Sequence, residues 1–138
     1  REQVVELGLS DRVHFVHTVP LEELPAYTAS ADIGVQPIEN TCLNHFTTDS
    51  NKLFEYLNAG LPVIASALPE ITRIVRQYDV GVLVTAGDVA ELAEAIRTLV
   101  GDERMRQGYS ANARRAASTL NWNNQERALV DLYRGITG

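Results

Sequence analysis

Residues 50–66, SNKLFEYLNAGLPVIAS, leave few choices of fold, because they read as a helix that stops on a glycine and feeds straight into a buried strand. Leu53, Phe54 and Leu57 fall on one side of a helical wheel, while Asn51, Glu55 and Asn58 recur at i, i+4 and i+7 on the other. One face packs and the other offers polar groups. Gly60 is suited to the left-handed conformation that ends a helix, and Leu61-Pro62 blocks continuation before Val63-Ile64-Ala65 runs as a strand. Thr47, Thr48, Asp49 and Ser50 put small polar residues where the helix begins. Unpaired backbone N–H groups and the positive end of the helix dipole lie there, which suits a phosphate.

Around this unit the chain alternates short apolar runs with helical patterns. Residues 1–7 read as a short helix stopped by Gly8, and Arg12 to His17 (RVHFVH) as a strand rich in β-formers. Leu21 to Ala29 reads as a helix with Pro25 in its first turn. Asp32 to Gln36 is a second strand closed by Pro37, and Ile38 to Asp49 is a polar loop of a length usually reserved for function. Pro69-Glu70 opens a helix that buries Ile71, Ile74 and Val75; Gly81 to Thr85 is a last strand. Asp88 and Glu91 form an acidic capping box for a helix whose apolar set is Val89, Leu92, Ala93, Ile96, Leu99 and Val100, ended by Gly101. Asp102 to Ser118 is a further helix whose arginines are read as surface charge, and Asn121 is the N-cap of a terminal helix from Trp122 to Tyr133, with Trp122 read as core. The pattern predicts an α/β fold, a Rossmann-like parallel sheet with helices on both faces, whose ligands sit beyond the carboxyl ends of the strands.

Size and charge narrow the function. At 138 residues, 45% hydrophobic, with the single cysteine Cys42, the chain buries one core and is not disulfide-stapled. A formal charge of −6 argues against a nucleic-acid surface. No apolar stretch approaches the roughly 20 residues of a membrane-spanning helix. His14, His17 and His45 lack metal-ligand spacing with Cys42 or the nearest acids, so no metal site is expected, and Cys42 has no neighbouring base to activate it.

Lys52-Leu53-Phe54-Glu55-Tyr56-Leu57, followed by Ala59-Gly60-Leu61-Pro62-Val63-Ile64-Ala65-Ser66, resembles the nucleotide-sugar signature of GT-B glycosyltransferases of family 4, the group 1 type. The likeness extends through LGLSDRVHF, ASADIGVQP, PEI, GVLV and the D-x-x-E-L-A-x-A-I helix, in order. It implies the carboxy-terminal, donor-binding half of a two-domain enzyme, here a single domain over residues 1–138 that lacks the first βα units of that half and the acceptor-binding domain. By the resemblance, Glu55 holds the ribose hydroxyls, Ser50 and Asn51 offer backbone N–H groups to the diphosphate, Thr48 stands with Ser50 where the family carries glycines, and Val19 lies by the base. Lys52 would add positive charge as a leaving-group stabiliser, and no other catalytic residue is assigned. Many members carry a glutamate eight residues before this one; here that position is Thr47.

The expected donor is a UDP- or GDP-sugar, with no cofactor; the acceptor is a sugar or lipid-linked glycan held by the other domain. The expected setting is cytoplasmic, or peripheral at the inner face of the membrane, in polysaccharide or glycoconjugate assembly. The fragment alone is expected to be inactive, and an exposed sheet edge to allow self-association. Two rivals remain at this point: a non-catalytic nucleotide-binding or assembly module on the same scaffold, favoured by Thr47, and an isomerase akin to sugar-nucleotide 2-epimerases. For single residues plainer readings stand beside these: Glu55 as a solvated carboxylate paired with Lys52, Ser50 and Thr48 as caps, His45 as a solvated loop histidine.

Overall fold

The computed structural model describes residues 1–48 and 50–137, of residue 137 the backbone alone. In chain order the elements are α1 (Glu2–Glu6), α2 (Leu24–Ala29), β1 (Gly34–Gln36), α3 (Leu43–Thr47), α4 (Asn51–Ala59), β2 (Val63–Ser66), α5 (Pro69–Tyr78), β3 (Gly81–Val84), α6 (Val89–Gly101), α7 (Glu103–Thr119) and α8 (Trp122–Thr137). The described strands form one parallel sheet ordered β1-β2-β3, in register Gly34 with Val63 and Val63 with Gly81.

Among the described strands β2 alone has a strand on each side, and it carries a helical layer on each face. Its side chains alternate, as a strand's must. Val63 and Ala65 join Leu53 and Leu57 of α4, Ile71, Ile74 and Val75 of α5, and Ala113 and Ala116 of α7 in the larger core. Ile64 points the other way, into a cluster with Val84 and with Ala95 and Leu99 of α6. A strand buried on both faces reads as continuous apolar sequence, which is why LPVIA carried no alternation.

The junction from α4 to β2 forms as the sequence indicates. Gly60 closes the helix in the left-handed region (φ 71°), and its N–H and that of Leu61 donate to Leu57 O and Tyr56 O. α7 then locks the turn, Ser110 Oγ donating to Gly60 O at 2.7 Å. Asp79, also left-handed (φ 51°), ends α5, and Asn112 Nδ2 of α7 donates to its carbonyl at 2.6 Å.

Several expectations are corrected. Residues 13–17 form no strand: Val13, Phe15 and Val16 are exposed, and the segment lies against α1 with the Arg1 guanidinium 5.2 Å from the Phe15 ring. β-formers alone do not make a strand; its N–H and C=O groups need a neighbour, and no described strand adjoins this one. α2 begins at Leu24, after a turn at residues 21–23, with Pro25 still inside its first turn. The supposed loop from Ile38 contains α3, too short to show a periodicity; its last residue, Asp49, lies outside the described residues.

On α6 the buried residues are Ala95 and Leu99, while Val89 and Val100 are exposed; the helix ends at Gly101 as expected, with Asp102 as its C-cap. Asp102 serves the next helix as well, its Oδ1 accepting from Met105 N at 2.8 Å. Trp122 is 70% exposed, so it is not core, although Asn121 does cap α8 by accepting from Asn124 N at 3.0 Å. Arg106 is more than surface charge: its Nη1 donates to Leu99 O and Val100 O, satisfying the carboxyl end of α6.

Candidate functional site

α4 presents its polar residues to two different grooves. Glu55 lines a cleft of about 300 Å³ between α2 and α4, together with Leu21, Leu24, Pro25, Thr28, Asn58 and Ala59. Asn51 lines a second, wider groove of about 590 Å³ with Phe54, Asn58 and residues of α5 and the start of α8. Asn58 borders both, so the face read as one polar stripe is split by the packing of α2. The first cleft matches what a carboxylate-bearing nucleoside pocket needs: apolar walls, with one acid and one amide able to orient a ligand.

Glu55 is exposed at this cleft and forms no ion pair with Lys52, which removes the reading of the two as a surface pair. Both carboxylate oxygens of Glu55 therefore remain available to a vicinal diol. Next to it, Tyr56 crosses to the sheet, its hydroxyl donating to Val35 O at 3.3 Å. Burial first, and the negative charge of Glu55 second, push the Tyr56 phenol above its ordinary value of 10.0.

At the amino end of α4, Ser50 has φ 49°, a strained backbone for a residue with a side chain, and makes no side-chain cap bond. Its N–H donates to Thr48 Oγ1 at 3.1 Å, so the hydroxyl of Thr48 holds the group that was assigned to a diphosphate. Asn51 and Lys52 are exposed on the first turn, where amides have no carbonyl within the helix to bond. Thr47, where the sequence resemblance leads one to expect a glutamate, spends its hydroxyl on Leu43 O at 3.0 Å.

The remaining residues fall away from this cleft. Val19 is half-buried in the irregular segment before α2, His14 and His17 line a separate hollow beside α1, and Cys42 is exposed. His45 is a brace for its own loop, Nδ1 lying 2.9 Å from Glu39 O and 3.0 Å from Thr41 Oγ1. Among the described residues no group of three or more His, Cys, Asp and Glu side chains is placed to hold a metal, and no helix is long and apolar enough to cross a membrane. What the sequence reading missed is the α2 wall; Leu21, Leu24 and Thr28, spaced i, i+3, i+7, would have marked it as one face of the turn and helix there.

With this geometry in hand, the comparisons with known proteins converge. Residues 1–102 match the family described as glycosyl transferases group 1. The chain belongs to the group 1 glycosyltransferases. It is 31% identical over 130 residues, 94% of its length, to the D-inositol 3-phosphate glycosyltransferase of Thermomonospora curvata, of which it covers 29%. To the phosphatidyl-myo-inositol mannosyltransferase of Mycobacterium leprae it is 34% identical over 129 residues, 94% of this chain and 33% of that one. Among solved structures, sucrose-phosphate synthase from Thermosynechococcus elongatus superposes with a TM-score of 0.84 at 29% identity, over 99% of this chain and 33% of that one. WaaG, a glycosyltransferase involved in lipopolysaccharide biosynthesis, shares the fold with a TM-score of 0.71 at 22% identity, over 92% of this chain and 33% of that one. The chain thus spans about three tenths of the length of the curated glycosyltransferases it matches.

Proposed function

We propose that this chain is the donor-nucleotide module of a group 1 glycosyltransferase, binding a UDP- or GDP-linked sugar for transfer to an acceptor hydroxyl held elsewhere in the enzyme. The observation that carries the reading is Glu55, in no ion pair among the described residues, lining the apolar cleft between α2 and α4. The base would lie on the Leu21, Leu24 and Pro25 wall, and the ribose diol would donate to Glu55. The diphosphate would meet the first-turn amides of Asn51 and Lys52, with the Lys52 ammonium added, and would displace Thr48 from Ser50 N–H to gain a third amide.

In this arrangement the chain's contribution to catalysis is electrostatic. Negative charge grows on the departing nucleotide diphosphate, and fixed amides and one ammonium are placed to stabilise it more than the ground state. The acceptors named in the relatives, inositol 3-phosphate and phosphatidyl-myo-inositol, suggest a polyol hydroxyl as the nucleophile.

The test is an amide-shift titration of the chain with UDP and with GDP, repeated on Glu55→Gln. Saturable shifts on Leu21 to Thr28 and Ser50 to Glu55 are expected. Loss of charge-assisted hydrogen bonds to the diol, about 1.5–3 kcal/mol, should weaken binding at least tenfold in the variant. Shifts scattered over the surface, or equal affinity for the two proteins, would refute the assignment.

A further inference from the structure

A hollow of about 370 Å³ opens at the amino ends of the strands, opposite the end at which the ligands of α/β sheets gather. Asp32, two residues before β1, and Pro62, one residue before β2, line it together with Gly60 and with Glu103, Arg106 and Arg114 of α7. It shares Ala29 and Ala59 with the α2–α4 cleft but neither Glu55 nor Asn58. Hydrogen bonds tie down its frame: Gly34 N donates to Pro62 O at 2.9 Å, Ala31 N to Thr28 O at 3.1 Å, and Ser110 Oγ to Gly60 O at 2.7 Å. The hollow is thus built before any ligand arrives, which spares a ligand the cost of ordering it.

Its charges state what kind of ligand would enter. Four charged side chains line the hollow, two of each sign, so neither a bare anion nor a bare cation is favoured. Two of the four are already engaged. Arg106 Nη1 donates to Leu99 O and Val100 O, and Glu103 Oε1 accepts from Gln107 Nε2 at 3.0 Å. The side chains of Asp32 and Arg114 enter no ion pair or hydrogen bond among the described residues, with each other or with any other group. Arg114 is nevertheless held in place, its stem lying over the α4 turn so closely that a Cβ on Gly60 would stand 2.7 Å from its Nε and 3.0 Å from its Cγ. A carboxylate and a guanidinium left over in one hollow suit a ligand that carries an ammonium and a carboxylate of its own. The planar fork of Arg114 matches a carboxylate, and Asp32, an acceptor only, matches an ammonium. Ala31, Ala59 and Pro62 add a small apolar surface beside them.

We propose that this hollow binds a free α-amino acid with a short aliphatic side chain, its carboxylate on Arg114, its ammonium on Asp32 and its side chain against Ala31, Ala59 and Pro62. The experiment is an amide-shift titration of the chain with L-valine, N-acetyl-L-valine, L-valinamide and inorganic phosphate, on the parent and on Arg114→Gln and Asp32→Asn, at about pH 6.5, where an α-ammonium stays protonated. Valine should give saturable shifts at Ala31, Asp32, Gly60, Leu61 and Ser110, with Ser50 to Glu55 undisturbed. Each blocked form should bind about fivefold more weakly than valine, and each substitution should weaken valine by about the same factor. The pairing is read from the crossed measurements: Arg114→Gln should leave valinamide binding unchanged, and Asp32→Asn should leave N-acetylvaline binding unchanged. Asp32→Asn, on the surface, keeps the test valid if Arg114→Gln loosens the turn at Gly60. The proposal is overturned if valine produces no saturable shift, if the blocked forms bind as valine does, if both variants bind valine as the parent does, or if phosphate alone shifts these amides.

Discussion

Tyr56 couples the candidate nucleoside cleft to the sheet, and its titration exposes that coupling. Its phenol sits above 10.0 because burial disfavours the phenolate and Glu55 repels it. A group whose folded value is raised stabilises the fold fully below its unfolded value and loses that contribution as pH rises through the folded one. Stability should therefore decline above about pH 10, and Glu55→Gln should lower the Tyr56 midpoint, read from phenolate ultraviolet absorbance. A midpoint unmoved by the substitution would mean that Glu55 does not face the ring. Two glycines make a sharper contrast. A Cβ at Gly81 would stand 1.8 Å from Val63 O, a backbone atom that cannot yield, whereas one at Gly108, in the interior of α7, would meet nothing within 4 Å. Urea unfolding should show Gly81→Ala losing about 3 kcal/mol and Gly108→Ala gaining up to about 1 kcal/mol.

At the scale of elements, the capping aspartates carry a disproportionate share of order. Asp88 fixes α6 by accepting from Glu91 N at 2.9 Å, and the partner side chain reaches past it to Thr85 N at 2.6 Å. Asp88→Ala should cost about 1 kcal/mol, and Asp88→Asn far less, because either side-chain oxygen accepts the same N–H. Equal losses in thermal melts of the two variants would locate the effect in charge rather than in the hydrogen bond. The α4 to β2 unit, the α5 start at Pro69 and the Asp88 cap were legible because each depends on residues within one turn of one another, whereas Asp102 was read as part of the helix it caps. The segment at 13–17 was not, because strand pairing is decided by chain far away in sequence. α6 shows a subtler failure: its inward stripe is the narrow Ala95–Leu99 row, and a helical wheel cannot say how wide a stripe the neighbouring layer will cover.

For the whole molecule, the parallel order and two-faced burial followed from alternating strands and helices, whereas the candidate site was only half visible. The amino end of α4 and Glu55 could be named from the sequence, but the α2 wall depended on a packing no local pattern encodes, and Thr48 taking Ser50 N–H was hidden in a backbone of unusual twist. The core itself is concentrated on α4, α5 and β2, so Leu57→Ala, at 1% exposure, should cost about 2–5 kcal/mol, while removing residues 122–138 should cost less, since the apolar side chains described on α8 are exposed. Comparable melting temperatures for these two variants would show α8 to be part of the core.

β1 has three residues, one described neighbour, and in Gln36 a buried side-chain amide with no hydrogen-bond partner among the described residues. Gln36→Met, similar in shape and free of that amide, should raise the urea midpoint. In heavy water the parent's layers should part from this flank first, deuterium entering Val35 and Gln36 well before Ile64 and Ala65. The hinge of such an opening would run beside Tyr56, so a nucleotide gripping Glu55 should slow exchange on a strand it never touches.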